Sequence, residues 1–108
     1  MSETLTRVQA LVRRAAVRVS EHGYDELAED GIFIDELLAG VGTATLVEDY
    51  PDATRGPTVL VLQRDSEGRP VHVVWGIPRG FQEPATLVTA YRPDPLRWSA
   101  DWITRKRT

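Results

Sequence analysis

His22 and His72 are the two histidines of this 108-residue chain, and histidine is the side chain whose ordinary pKa lies near neutrality. Metal-free cleavage of RNA needs a base for the ribose 2′-hydroxyl, an acid for the leaving oxygen and cations for the charged phosphorane. Two histidines make an economical acid–base pair if folding carries them to one face. His22 falls in the first turn of a helix, where it serves either as a catalyst or as a local capping and packing residue. His72 interrupts the apolar run Val71 to Ile77, where it is either an exposed catalyst or a ring bonded across a sheet. Tyr91 is a further proton or hydrogen-bond donor, or a core aromatic at a strand end.

Arg55, Arg64, Arg79 and Arg92 fall in loops or at strand ends, where guanidinium groups could converge on phosphate through paired hydrogen bonds. Solvated surface charge is the competing reading of each. Arg105-Lys106-Arg107 follows Trp98 and Trp102, a pattern that suits nucleic acid by charge and stacking. The same tail could instead fold its tryptophans back onto the domain.

Other chemistries lack their residues. With no cysteine there is no disulfide, thiolate metal site or Cys nucleophile. No histidine cluster has metal-ligand spacing, and the acidic run Asp49 to Asp52, which includes Pro51, does not match a calcium loop. Neither a glycine-rich phosphate loop nor a Gly-x-Ser-x-Gly motif occurs. The expectation is therefore neither metal nor cofactor.

The elements that must position these residues divide the chain in two. Ser2 or Thr4 caps a helix running to about Ala16, with Leu5, Val8, Leu11, Val12 and Ala15 at helical spacing. Val17-Arg18-Val19 is a short β-branched run, after which Ser20 caps a second helix ending near Gly31. A third, short helix begins near Ile34 and ends at Gly40 or Gly42. From Thr43 the pattern changes to β-rich runs separated by Pro and Gly clusters: Thr43 to Tyr50, Thr58 to Arg64, Val71 to Ile77 and Ala85 to Arg92. The link Asp65-Ser66-Glu67-Gly68-Arg69 has a glycine where a hairpin turn needs positive φ.

This order predicts a two-layer α+β domain over residues 1–108, with N-terminal helices on one face of an antiparallel meander of about four strands. Alternation puts Val71, Val73, Trp75 and Ile77 toward the helices and His72, Val74 and Gly76 on the open face. Apolar residues at 42% and charged residues at 27% match an ordinary globular composition. The net charge of −3 conceals segregation: residues 19–54 carry ten acids and no Lys or Arg, while the remainder holds all 13 basic residues against six acids. No apolar run approaches the ~20 residues of a membrane span and no leader pattern is present, so the expected location is cytoplasmic, without a membrane.

The succession Val47-Glu48-Asp49-Tyr50-Pro51-Asp52, Arg55-Gly56-Pro57, Gly68-Arg69-Pro70-Val71-His72-Val73-Val74 and Thr89-Ala90-Tyr91-Arg92-Pro93-Asp94-Pro95 with Trp98, preceded by Ser20-Glu21-His22, resembles the family of domain of unknown function 4258 over about residues 17–107. Many members have arginines four and eight residues after the position of His22, where this chain has Glu26 and Asp30. It resembles an acidic branch, and exchanging cations for carboxylates removes candidate phosphate contacts.

Similar domains occur beside small antitoxins and as toxin modules, so the resemblance implies a likeness to compact RelE-like ribonucleases. The resulting expectation is a metal-independent endoribonuclease of toxin–antitoxin type, with His22, His72 and Tyr91 as catalytic groups and Arg55, Arg64, Arg79 and Arg92 on the substrate. Its partners would be RNA or the ribosome and a neutralising antitoxin protein. The alternative expectation is a non-catalytic protein-interaction module whose acidic helical half binds a basic partner.

Overall fold

A computed structural model describes residues 2–106, so Arg107 of the basic tail lies outside the described residues. The Ser2 hydroxyl accepts a 3.1 Å hydrogen bond from the Leu5 amide and caps helix α1 (Glu3–Arg13). Glu3 in its first turn and Arg13 in its last complement the helix dipole. The helix ends earlier than its apolar spacing predicts because Ala15 turns the chain with φ 60°. Ser20 caps α2 (Glu21–Glu29) through the Gly23 amide at 2.9 Å, and Gly31 at φ 64° follows its end. Helix α3 (Ile34–Gly40) leads through a 3-10 turn into the sheet.

The sheet has five strands: β1 (Val17–Val19), β2 (Thr45–Tyr50), β3 (Thr58–Arg64), β4 (Pro70–Gly76) and β5 (Ala85–Tyr91). Their spatial order is β1-β5-β4-β3-β2. The meander β2 to β5 is antiparallel as expected, but β1 adds a parallel edge beside β5, with Val17 opposite Ala85 and Val19 opposite Leu87. Three residues carry too little alternation to reveal a strand whose partner lies far along the chain.

The helices cover one face. Leu5, Val8 and Leu11 of α1, Leu27 of α2 and Leu37 of α3 meet Val59, Val61, Val71, Val73, Trp75 and Leu87 of the sheet in one core. Burying these side chains is the main favourable contribution to folding, at about 1.5–3 kcal/mol for a fully buried Val or Leu. Gln63 is the polar member of this layer: its amide donates to the Leu37 carbonyl at 2.8 Å and its side-chain oxygen accepts from Trp75 Nε1 at 3.0 Å, so α3 is tied to β3 and β4.

The opposite face is only partly open. After β5 the chain folds back across it, burying Trp98 to 4% exposure, and Leu60, Leu62 and His72 beneath are also buried. The other end of that face is less covered: Thr58 and Thr86 there are half-buried, and Arg18, Arg55 and Val88 are exposed.

Candidate functional site

Two bulges decide which side chains reach the open face. Between Leu46 and Glu48 an extra residue shifts the pairing of β2, so Glu48 lies opposite Leu60 and Tyr50 opposite Thr58. In β5 the register shifts between the pairs Val74–Thr89 and Trp75–Leu87. Leu87 therefore faces the core, while Thr89 and Tyr91 share the other face with Val74 and His72. Without these bulges, strict alternation would put Val47 rather than Glu48 on that face.

The tail completes the arrangement. Asp101 accepts from the Ile103 and Thr104 amides at 2.9 and 3.0 Å, and the Ser99 amide donates to the Thr104 carbonyl at 2.8 Å, closing a turn that pairs Trp98 with Arg105. This puts the Arg105 guanidinium 4.6 Å over the Trp98 ring and in a two-point contact with Glu48, both bonds at 3.1 Å. Tyr50 donates its hydroxyl to Glu48 at 2.6 Å. The Arg105 hydrogen bonds hold the Glu48 carboxyl below its ordinary range despite partial burial, and Glu48 in turn raises Tyr50 and Arg105. At neutral pH the cluster is thus a carboxylate between a neutral phenol and a guanidinium, with Tyr50 and Arg105 exposed to solvent.

His72 lies beneath this layer. It is fully buried, edge-on to Trp98 at 4.5 Å between ring centroids and to Tyr91 at 5.4 Å. Its Nε2 donates to the Trp102 carbonyl at 2.6 Å, since a carbonyl can only accept, and Nδ1 of the neutral ring then accepts from the Tyr91 hydroxyl at 3.3 Å. Trp102 presents that carbonyl from a left-handed conformation, φ 64°, a strain of about 1–2 kcal/mol that the contacts around it must offset. Burial lowers the His72 pKa and raises that of Tyr91. Both ring nitrogens are engaged, so His72 is placed as a structural hydrogen-bond centre and is not presented on an open face.

His22 lies elsewhere. It is exposed on α2, with Nε2 3.6 Å from Glu26, and α2 packs on the helix-covered side of the sheet. The sheet therefore separates the two histidines, and they do not form a pair. Tyr91 accompanies His72 under the tail.

The four loop arginines separate as well. Arg92 is drawn into the β3–β4 hairpin, 2.9 Å from the buried Asp65 carboxylate and 3.2 Å from the Pro70 carbonyl. Burial pushes the Asp65 carboxyl up, but the Arg69 and Glu67 amides and the Arg92 guanidinium outweigh it and hold the group at about 2. Arg64 donates to the Gly68 carbonyl within the same hairpin. Asp30 accepts the Arg92 amide at 3.2 Å, so this carboxylate has a structural use.

Arg55 and Arg79 are the two that remain available, at the opposite end of the sheet, where the Arg79 amide bonds the Arg55 carbonyl at 2.9 Å. Gly56 permits this approach: a Cβ there would lie 2.0 Å from the Ile77 oxygen and 2.6 Å from the Arg79 nitrogen. Arg18, Arg55, Thr58, Gly76 and Thr86 line a cleft of about 330 Å³ at this less covered end of the face. Arg18, Arg55 and Arg79 form no ion pair among the described residues. Across this row the register runs Arg18, Thr86, Gly76, Thr58, Tyr50, so unpaired cations and the Glu48–Tyr50–Arg105 cluster border one sheet floor. Glu48, Tyr50 and Arg18 are not legible as site residues in the sequence, although the neighbouring tail cation Arg105 is.

Among the described residues no three His, Asp or Glu side chains come together as a metal-ligand set, and no helix is long and apolar enough to cross a membrane.

The fold and this face define a small two-layer α+β domain with a polar, partly roofed sheet surface. The chain belongs to the family described as a domain of unknown function (DUF4258), which matches over residues 19–92. That span runs from the end of β1 to the residue after β5 and leaves out α1 and the tail that roofs His72. No curated protein and no solved structure matches the chain.

Proposed function

We propose that this chain is a metal-independent ribonuclease of toxin type that takes single-stranded RNA along its open sheet face, with Glu48, Tyr50 and Arg105 as the reaction centre in place of the two histidines. The observation that carries the reading is the meeting of carboxylate, phenol and guanidinium on the accessible part of that face. Unpaired Arg18 and Arg55 stand at the far side of the same floor, suited to neighbouring phosphates. Exposed Tyr50 offers a stacking surface beside them.

In this mechanism RNA displaces the Glu48–Arg105 contact. Glu48 takes the 2′-hydroxyl proton, the freed oxygen bonds to the adjacent phosphorus, and the P–O5′ bond breaks as Tyr50 supplies a proton to the leaving oxygen. Arg105 stabilises the extra charge of the phosphorane. The products are a 2′,3′-cyclic phosphate and a 5′-hydroxyl end. The Arg105 hydrogen bonds hold the Glu48 carboxyl below its ordinary range in the resting chain, so their displacement by RNA makes Glu48 a better base at the moment it is needed.

The test is incubation of purified chain with single-stranded RNA in chelator, with end-group analysis. Cyclic phosphate ends should form with wild type and His22→Ala, and fall at least about a hundredfold with Glu48→Gln, the low end of what a positioned acid or base contributes. If no RNA is cut while a control enzyme cuts it, on naked RNA and on ribosome-bound message alike, the reading is wrong.

A further inference from the structure

On the helical side of the molecule, away from that floor, lies an apolar groove between α2 and the 31–34 segment. Tyr24, Leu27, Ala28, Ile32, Phe33 and Ile34 line it, with a volume of about 350 Å³. Tyr24 is 59% and Phe33 70% exposed, although aromatics of this size normally bury most of their surface. Gly31 opens the floor, with nothing within 4 Å of where its Cβ would stand.

The rim is anionic. Glu21, Asp25 and Glu29 recur at four-residue intervals on α2, and Asp35 stands in the first turn of α3, all exposed. Like charges at that helical spacing repel each other. None of these four carboxylates has a Lys or Arg partner among the described residues. A groove walled by α2 and the loop that leads into α3 exposes no strand edge, so a visitor must be recognised by its side chains, as an amphipathic helix is.

We propose that this groove is a docking site for a basic amphipathic helix of another protein, whose apolar residues seat against Tyr24 and Phe33 while its Lys or Arg residues meet Glu21, Asp25, Glu29 and Asp35. Charge complementarity selects the occupant: residues 21–36, which supply the apolar lining, also carry seven acids and no Lys or Arg. A second copy of this chain fits less well, because its basic tail would meet the acidic groove head to tail, a contact that need not close into a defined oligomer.

The probe is a labelled helical peptide with Leu at three- and four-residue spacing and Lys on its remaining face, titrated into the full-length chain by fluorescence anisotropy, with contacts mapped by amide NMR. Saturable binding should perturb α2 and residues 31–34, weaken with salt, and fall about tenfold or more in a Phe33→Ser chain and in an Asp25→Lys/Glu29→Lys chain. All three substitutions are at exposed positions, and matching circular dichroism confirms folding. The proposal is overturned if a peptide of the same composition with scrambled spacing binds as tightly, if a Glu-for-Lys analogue binds as tightly, or if the shifts map to the open sheet face. It is equally overturned if the chain alone self-associates through this groove, as sedimentation of wild type against Phe33→Ser would reveal. RNA cleavage should be unchanged in Phe33→Ser, so this result and that of the ribonuclease assay stand independently.

Discussion

Replacing Trp98 with alanine tests whether the tail is what takes His72 out of solvent. The indole is 4% exposed and sits between the His72 ring and the Arg105 guanidinium. An aromatic side chain burying about 150–250 Å² at about 25 cal/mol per Å² is worth roughly 4–6 kcal/mol. The unfolded chain already hides part of that surface, and a truncated surface tail can yield to water, so the expected loss is about 3 kcal/mol, the lower end for Trp→Ala. For a domain of this size that lowers Tm by about 12 °C or more, measurable by circular dichroism or as a shifted urea midpoint.

The same variant has a second readout. Burial lowers the His72 pKa in the folded chain, so as pH falls below about 6.5 the unfolded chain takes up a proton first and stability declines until the folded pKa is passed. In Trp98→Ala the ring regains water, its pKa climbs toward the ordinary value, and this part of the pH dependence flattens. NMR titration of the imidazole follows it directly. An unchanged urea midpoint, or a His72 pKa as low as in wild type, would refute the assignment of its burial to the tail.

Asp65→Asn should destabilise the chain by about 2 kcal/mol at neutral pH, the range of a hydrogen bond to a charged group, because it removes the buried charge that Arg92 and Arg69 meet, where the carboxyl is held at about 2. That stabilisation is present above pH 3.8 and disappears as pH falls toward 2, so acid titrations of the wild type should show an added loss in that window that the variant lacks. Gly56→Ala, at φ 124° with a Cβ 2.0 Å from a backbone oxygen, should cost more than about 3 kcal/mol. Gly31→Ala, at φ 64° in open space, should cost only about 1–2 kcal/mol, and equal urea midpoints for the two variants would contradict this account.

Much of the fold was legible. Ser2 and Ser20 sit immediately before helical periodicity and cap the helices they announce. Gly68 closes the hairpin its position implies, with φ 79°. The site was less legible because bulges act on alternation: a single extra residue in β2 decides that Glu48 faces out, and nothing local in Val47-Glu48-Asp49 declares it. One signal was available in the apolar sequence of β3. Leu60 and Leu62 alternate with Val59 and Val61, so a strand with only one covered face would leave two leucines bare, and a downstream segment with Trp98 was there to cover them.

What the sequence determined by itself is therefore what short-range chemistry controls: helix starts, the hairpin turn, the identity of the helix-facing row Val71, Val73, Trp75 and Ile77, and the segregation of charge. Only the tertiary structure decided that β1 joins β5, that the tail buries His72, that the sheet separates His72 from His22, and that Arg92 belongs to Asp65 rather than to a substrate. Caps and turns depend on residues three or four positions apart, whereas these outcomes depend on which distant surfaces exclude water together.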